Sequence, residues 1–174
     1  LVDNVELPVQ VTIASGFPKG DKLEFITQKV TELGASQIWA FPADWSVAKW
    51  DGKKLGKKVE KLEKIALGAA EQSKRNLVPS ITLFENKADF LAQLDQFDRI
   101  VVAYEESAKE GEAAALLQAV TGLEKGAKLL FIFGPEGGLS PAEIESFTAK
   151  GAVLAGFGPR ILRAETAPLY ALSA

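Results

Sequence analysis

At 174 residues, 47% hydrophobic and 25% charged with a net charge of −3, the chain has the length of one domain, an ordinary globular composition and none of the overall basic charge of a dedicated nucleic-acid binder. It contains neither cysteine nor histidine, which excludes disulfides, thiolate chemistry, imidazole bases and histidine-based metal sites, and suits a reducing compartment such as the cytoplasm. No apolar run nears the ~18 residues of a membrane span, and no basic stretch followed by an apolar one opens the chain as a secretion signal would.

Methionine is also absent, so Leu1 is read as the interior of a longer chain. Val9 to Ala14 alternates apolar and polar residues with β-branched members and predicts a strand. After the turn-rich Ser15 to Gly20, Asp21 can cap a helix that runs to about Leu33 and stops at Gly34. Leu23, Ile26, Val30 and Leu33 form its apolar stripe. Gln37 to Phe41 predicts a second strand, ended by Pro42.

A long helix is expected from about Lys53 to Ser73. Leu55, Val59, Leu62, Ala66 and Ala69 recur at spacings of four and three and so share one buried face. Lys49 to Lys64 carries seven lysines against three carboxylates, a local charge of +4, mostly off that face. These lysines read first as a solvated helix surface with Glu–Lys pairs inside the helix. Further elements follow in order: a strand at Ile81–Phe84, a helix at Ala88–Leu94, a buried strand at Ile100–Tyr104, a helix at Glu112–Val120, a buried strand at Leu129–Phe133, a helix at Pro141–Lys150, a strand at Val153–Ala155 and a final helix from Thr166 to Ala174. Strands alternating with helices predict an α/β fold with a mostly parallel sheet covered on both faces.

Two loops carry the functional signal. The apolar strand at Leu129–Phe133 stops at Gly134-Pro135-Glu136-Gly137-Gly138. The next helix is sharply specified by Ser140 as N-cap, Pro141 at the first helical position and Glu143 completing a capping box. Gly134 to Leu139 therefore joins the C-terminal end of a strand to a helix N-terminus, where open α/β sheets bind ligands. Its glycines let backbone N–H groups come close to whatever binds. It is not a P-loop, because no Gly-Lys-Ser/Thr ends it, and its spacing is not Gly-x-Gly-x-x-Gly. Glu136 disfavours a phosphate and suits a cationic or donor-rich ligand. The plainer alternative is a tight structural turn.

The second loop, GFGPRILRAETAPLY, again follows a short buried strand and brings Arg160, Arg163 and Glu165 within six residues. Read blandly, it is a surface connection with a local ion pair of little energetic consequence. Two glycine-rich loops at strand ends, so close in sequence, point instead to one shared pocket.

FGPEGGLSPAEIE followed by GFGPRILRAETAPLYALSA resembles the RsmE family, and KGDKLEFITQKVTELG and AAEQSKRNLVP are similar to further motifs of that family. The resemblance runs from about Lys19 to the end. It implies a SPOUT-class methyltransferase that uses S-adenosylmethionine to methylate N3 of a uridine in 16S ribosomal RNA. It also implies a C-terminal trefoil knot, a rare exception to the topology rules. The family's N-terminal PUA-like domain has no counterpart in the sequence, and residues 1–8 are expected to be the linker that follows it, ahead of a methyltransferase domain at 9–174. The resemblance further implies a cytoplasmic homodimer whose active site takes residues from both subunits, with no metal and no membrane.

Carried over position by position, the resemblance makes Gly134, Pro135, Glu136, Gly137 and Gly138 one wall of the cofactor site. Gly156, Gly158, Ile161 and Leu162 form the other, Thr166 and Ala167 close it, and Ala103 and Tyr104 add a third contact. With no histidine or cysteine, Arg163 is the expected catalytic residue: its guanidinium would hold the uracil carbonyls or a phosphate and stabilise the charge that develops as N3 sheds its proton. Glu165 would orient Arg163 or take the proton, though it equally suits a charge favoured at a helix N-terminus. Lys19, Lys22, Lys29, Gln72 and Arg75 would grip RNA. The rival readings are a SPOUT methyltransferase with another RNA target, a knotted dimer that binds cofactor or RNA without turnover, and a flavodoxin-like nucleotide binder, which Glu136 and the missing Lys-Ser/Thr disfavour.

Overall fold

The computed structural model describes residues 10–75, 77–103, 126–135 and 137–155. Six strands form one sheet in which every pairing is parallel: β1 (Gln10–Gly16), β2 (Gln37–Phe41), β3 (Ser80–Leu83), β4 (Arg99–Ala103), β5 (Lys128–Phe133) and β6 (Val153–Ala155), in the spatial order β3-β2-β1-β5-β4-β6. The first three strands step outward from β1 in one direction. The last three lie on its other side, with β5 between β1 and β4 and β6 at the edge.

Helices cover both faces, as the alternating pattern predicts. α1 (Lys22–Leu33) and α2 (Gly52–Gln72) pack on one face against Val11, Ile13, Ile38, Leu129, Phe131 and Phe133. The short α3 (Lys87–Ala92) and α4 (Pro141–Ala149) pack on the other, against Ala14, Trp39, Phe41, Leu130 and Ile132. Successive residues of β5 thus serve opposite layers, the period of two that side chains follow along a strand. The second layer is aromatic at its centre: Phe90 is fully buried and stacks on Phe41 with ring centroids 4.3 Å apart.

Local details depart from expectation. Asp21 precedes α1, but its side chain makes no cap bond; its backbone carbonyl accepts instead, from Glu24 and Phe25. The C-terminal stop at Gly34 holds, with φ +114 and the N–H of Ala35 returning to the carbonyl of Val30 at 3.0 Å. Leu33, predicted on the buried stripe, is 38% exposed, while Thr27 and Thr31 are buried in that helix. α3 ends at Ala92, and a 3₁₀ turn, Leu94–Gln96, completes the span predicted as one helix. The expected helices at 112–120 and 166–174, the linker at 1–8 and the knot, which depends on the chain beyond Ala155, lie outside the described residues. No helix among the described residues is long and apolar enough to cross a membrane.

Candidate functional site

The turn Gly134–Leu139 leaves the C-terminal end of β5 at the centre of the sheet, and it needs glycine by contact at Gly134 and by conformation at Gly138. A Cβ on Gly134 would stand 2.7 Å from the backbone carbon of Gly138 and 2.9 Å from the nitrogen of Leu139. Gly138 adopts φ +82, a left-handed conformation, and its N–H donates to the carbonyl of Pro135 at 2.8 Å. Gly137 lies against the loop after β2, where an added Cβ would meet the carbonyl oxygen of Trp45 at 3.1 Å and its Cβ at 3.2 Å. At the end of β1, a Cβ on Gly16 would be 2.6 Å from Cδ of Pro135 and 2.9 Å from Cβ of Ala43. The ends of β1, β2 and β5 therefore converge with main chain on main chain.

The second glycine-rich segment starts from the same sheet end. β6 pairs with β4 so that Ala155 lies opposite Ala103, and β4 pairs with β5 on its other side. The chain after Ala155 and the turn after Phe133 thus leave from strands that flank β4, with Ala103 between them. The second loop itself lies outside the described residues.

Beneath the turn lies a polar cluster that the motifs do not reveal. Glu143, 1% exposed, uses both carboxylate oxygens. Oε1 accepts from the backbone N–H of Ser140 at 2.9 Å, completing the predicted capping box as the Glu143 N–H donates to Ser140 Oγ at 3.2 Å. Oε2 accepts from the Asp44 N–H at 2.9 Å and from Lys87 Nζ at 3.1 Å. Asp44 accepts in turn from Lys87 Nζ and, at 2.5 Å, from Ser140 Oγ. The bond from Lys87, then that from Ser140, holds the Asp44 carboxyl below its ordinary value of 3.8. Burial pushes the Lys87 ammonium down, but its bonds to Asp44 and Glu143 outweigh that, and the net shift is upward from 10.5. This cluster fixes the start of α4, and with it the exit of the glycine turn, to the loop after β2 and the first residue of α3.

Of the predicted site residues, the structure brings Ala103, Gly134, Pro135, Gly137 and Gly138 to one end of the sheet. Tyr104, Glu136, Gly156, Gly158, Ile161, Leu162, Arg163, Glu165, Thr166 and Ala167 lie outside the described residues. The residues expected to grip RNA lie on or beside α1 and α2. Lys19 is exposed ahead of α1, Lys22 opens it, and Lys29 stands 3.7 Å from Glu32. Gln72 is exposed at the end of α2, where it borders an open groove of about 560 Å³ between α1 and α2 together with Phe25, Gln28, Lys64 and Ile65. Arg75 is half-buried and donates to the carbonyls of Thr31 at 3.1 Å and Ala35 at 2.6 Å, closing the C-terminal end of α1. The expected Glu–Lys pairs within α2 do not form among the described residues; Lys61 instead reaches across to Glu24 on α1 at 3.1 Å, and Lys58 lies 4.3 Å from the centre of the Trp50 ring.

Comparison with known proteins gives the site a context. Residues 5–174 match the RNA methyltransferase domain family. The chain is 56% identical over 172 residues to the Bacillus subtilis ribosomal RNA small subunit methyltransferase E, covering 99% of this chain and 67% of that protein. Among solved structures, it is similar to a ribosomal RNA small subunit methyltransferase E from Neisseria gonorrhoeae bound to S-adenosylmethionine, with a TM-score of 0.79 and 27% identity over 97% of this chain and 65% of that one. It is also similar to a Legionella pneumophila protein solved with bound S-adenosylmethionine, with a TM-score of 0.83 and 29% identity over 98% of this chain and 66% of that one. The chain thus spans about two thirds of the length of the relatives it matches.

Proposed function

This chain belongs to the RNA methyltransferase family that includes the small-subunit ribosomal RNA methyltransferases E, and from that premise we propose that it carries the S-adenosylmethionine-dependent domain that methylates N3 of a uridine in 16S ribosomal RNA. The observation that carries the reading is the glycine turn at the C-terminal end of β5, pinned by Glu143 and flanked across β4 by the exit to the second glycine segment. Main chain packed this closely offers a ligand its N–H and carbonyl groups rather than side chains, which suits a cofactor whose adenine is held by backbone groups.

Gly134, Pro135, Gly137 and Gly138, with Ala103 beside them, would hold the cofactor. When bound, S-adenosylmethionine supplies a methyl group already activated by its sulfonium. The protein's own part is to orient the uracil in line, exclude water and help N3 lose its proton. Arg163 binds the carbonyls flanking N3 and favours the anionic base, and Glu165 orients that guanidinium or takes the proton. Lys19, Lys22, Lys29 and Gln72 add RNA contacts along α1 and the end of α2. The domain works as a cytoplasmic homodimer in this reading, each site completed by the partner subunit.

The test is methylation of small-subunit RNA by this chain and by the full-length protein with labelled S-adenosylmethionine, followed by mapping of the product nucleoside. N3-methyluridine is the expected product. A methyl on another position would keep the reaction class and discard the target. Cofactor binding without transfer by either protein would leave a binding module.

A further inference from the structure

We propose that Trp45 is a stacking platform for an unpaired base of the RNA, set at the edge of the glycine turn. The inference rests on the reading of the chain as acting on RNA. Of the three tryptophans, Trp39 and Trp50 are 5% and 8% exposed and packed against other rings, whereas Trp45 is 49% exposed and has no ring partner among the described residues. Val47, two residues on, is 67% exposed. A half-exposed indole beside an exposed valine leaves apolar surface in water at the sheet end where the candidate site lies.

The segment that presents this indole is held rigidly. On one side Asp44 is tied to Glu143, Lys87 and Ser140. Ser46 N–H donates to the carbonyl of Ala43 at 3.1 Å, closing a tight turn around Trp45. The Trp45 carbonyl and Cβ are the atoms that face Gly137 of the glycine turn. A ring fixed at its base and free at its face is the arrangement that stacks a splayed-out base.

Charge distinguishes RNA from the cofactor as the occupant. Lys49, Lys53 and Lys54 follow Trp45 in the chain, all exposed, and their ammonium groups form no ion pair among the described residues. Lysines in the same stretch of chain as an exposed indole suit a polyanion that brings a base and its phosphates together. They repel a ligand bearing a sulfonium cation.

All three tryptophans emit, but Trp39 and Trp50 are buried out of reach of a bound base, so the quenching lost on replacing Trp45 reports on Trp45. Titrating the chain with a short single-stranded uridine-rich RNA should quench its emission, and Trp45→Ala should remove that quenching. By anisotropy of the labelled RNA, Trp45→Ala should bind about 5- to 150-fold more weakly, the span expected for one stacked base, with Trp45→Phe recovering most of the affinity. Calorimetry should show S-adenosylmethionine affinity unchanged in Trp45→Ala, since alanine keeps the Cβ that meets Gly137. Unquenched emission, equal RNA affinity in Trp45→Ala, no recovery with phenylalanine, or quenching by S-adenosylmethionine alone would each overturn the proposal. Failure of the wild-type chain to bind S-adenosylmethionine would count against the functional reading instead and leave the RNA titration to judge Trp45.

Discussion

The backbone N–H of Asp44 donates to Oε2 of Glu143 at 2.9 Å, across 99 residues of sequence. The bond joins the loop after β2 to the first turn of α4, and Lys87 at the start of α3 closes it into a three-element cluster. The Glu143 carboxylate is almost wholly removed from water, and these donors take the place of its hydration. Replacing Lys87 with methionine keeps most of the side-chain volume and withdraws the cation. We expect a loss of about 1–3 kcal/mol in unfolding free energy, the cost of taking a charged partner from a buried carboxylate whose other donors remain. Denaturant unfolding measures it, and an unchanged midpoint would mean the cluster contributes nothing net.

The same cluster predicts how stability responds to pH. The Asp44 carboxyl is lowered in the folded state by its bonds from Lys87 and Ser140. Its contribution is therefore fully present above its ordinary value of 3.8 and is lost as pH falls through the lower folded value. Lys87 is raised, so its contribution is present below 10.5 and is lost as pH rises through a higher folded value. Unfolding free energy should hence fall at both extremes, and Asp44→Asn should flatten the acid limb. An acid limb of equal slope in wild type and variant would remove Asp44 from the account.

Gly134→Ala should be damaging where Gly56→Ala is helpful. At Gly134 the new methyl would press on the backbone of Gly138 and Leu139, and the turn must open to receive it. A cost of about 1–3 kcal/mol is expected, together with weakened S-adenosylmethionine binding by calorimetry. Gly56 lies within α2, exposed, with nothing within 4 Å of an added Cβ. Alanine there should raise stability by roughly 0.5–1 kcal/mol through helix propensity and leave cofactor binding alone. Equal effects at the two sites would show that the turn tolerates a side chain and is not built around main-chain contact.

How much of this was legible in the sequence divides along the range of the interactions. The capping box of Ser140 and Glu143 involves residues three apart, and it is present as read. The apolar run of β5 and the buried face of α2 are likewise local and hold, with boundaries shifted by a residue. Glu143, however, has a second role that no local pattern encodes, because its partners Asp44 and Lys87 arrive from other elements. Arg75 is expected from the resemblance to grip RNA, and its second role, with the guanidinium on the carbonyls that end α1 some 40 residues earlier, is again one that no local pattern encodes. Lys61 could have paired within its helix but found Glu24 on the neighbouring one. Trp45 carries no signal in the sequence, because a lone aromatic in a loop means nothing until its burial is known. The strand order, with β5 inserted beside β1, is likewise fixed by packing at a distance, although the glycines already located the sheet end that matters.

Arg163→Ala separates binding from chemistry. A chain without histidine or cysteine has few groups that can act on uracil at neutral pH, and a guanidinium can act only by binding and charge stabilisation, since it does not give up its proton. If Arg163 stabilises the anionic base, its removal should leave S-adenosylmethionine affinity within about twofold and reduce methyl transfer by roughly 10²–10³-fold, the usual cost of losing one such donor. Glu165→Gln divides the remaining question. If Glu165 takes the proton, the glutamine variant should lose the acid limb of the rate profile, the one set by a titrating carboxylate; if it only orients Arg163, glutamine should keep much of the rate and leave the profile in place. Transfer at the wild-type rate in Arg163→Ala would remove the residue from the mechanism and turn attention to the RNA's own phosphates and the partner subunit.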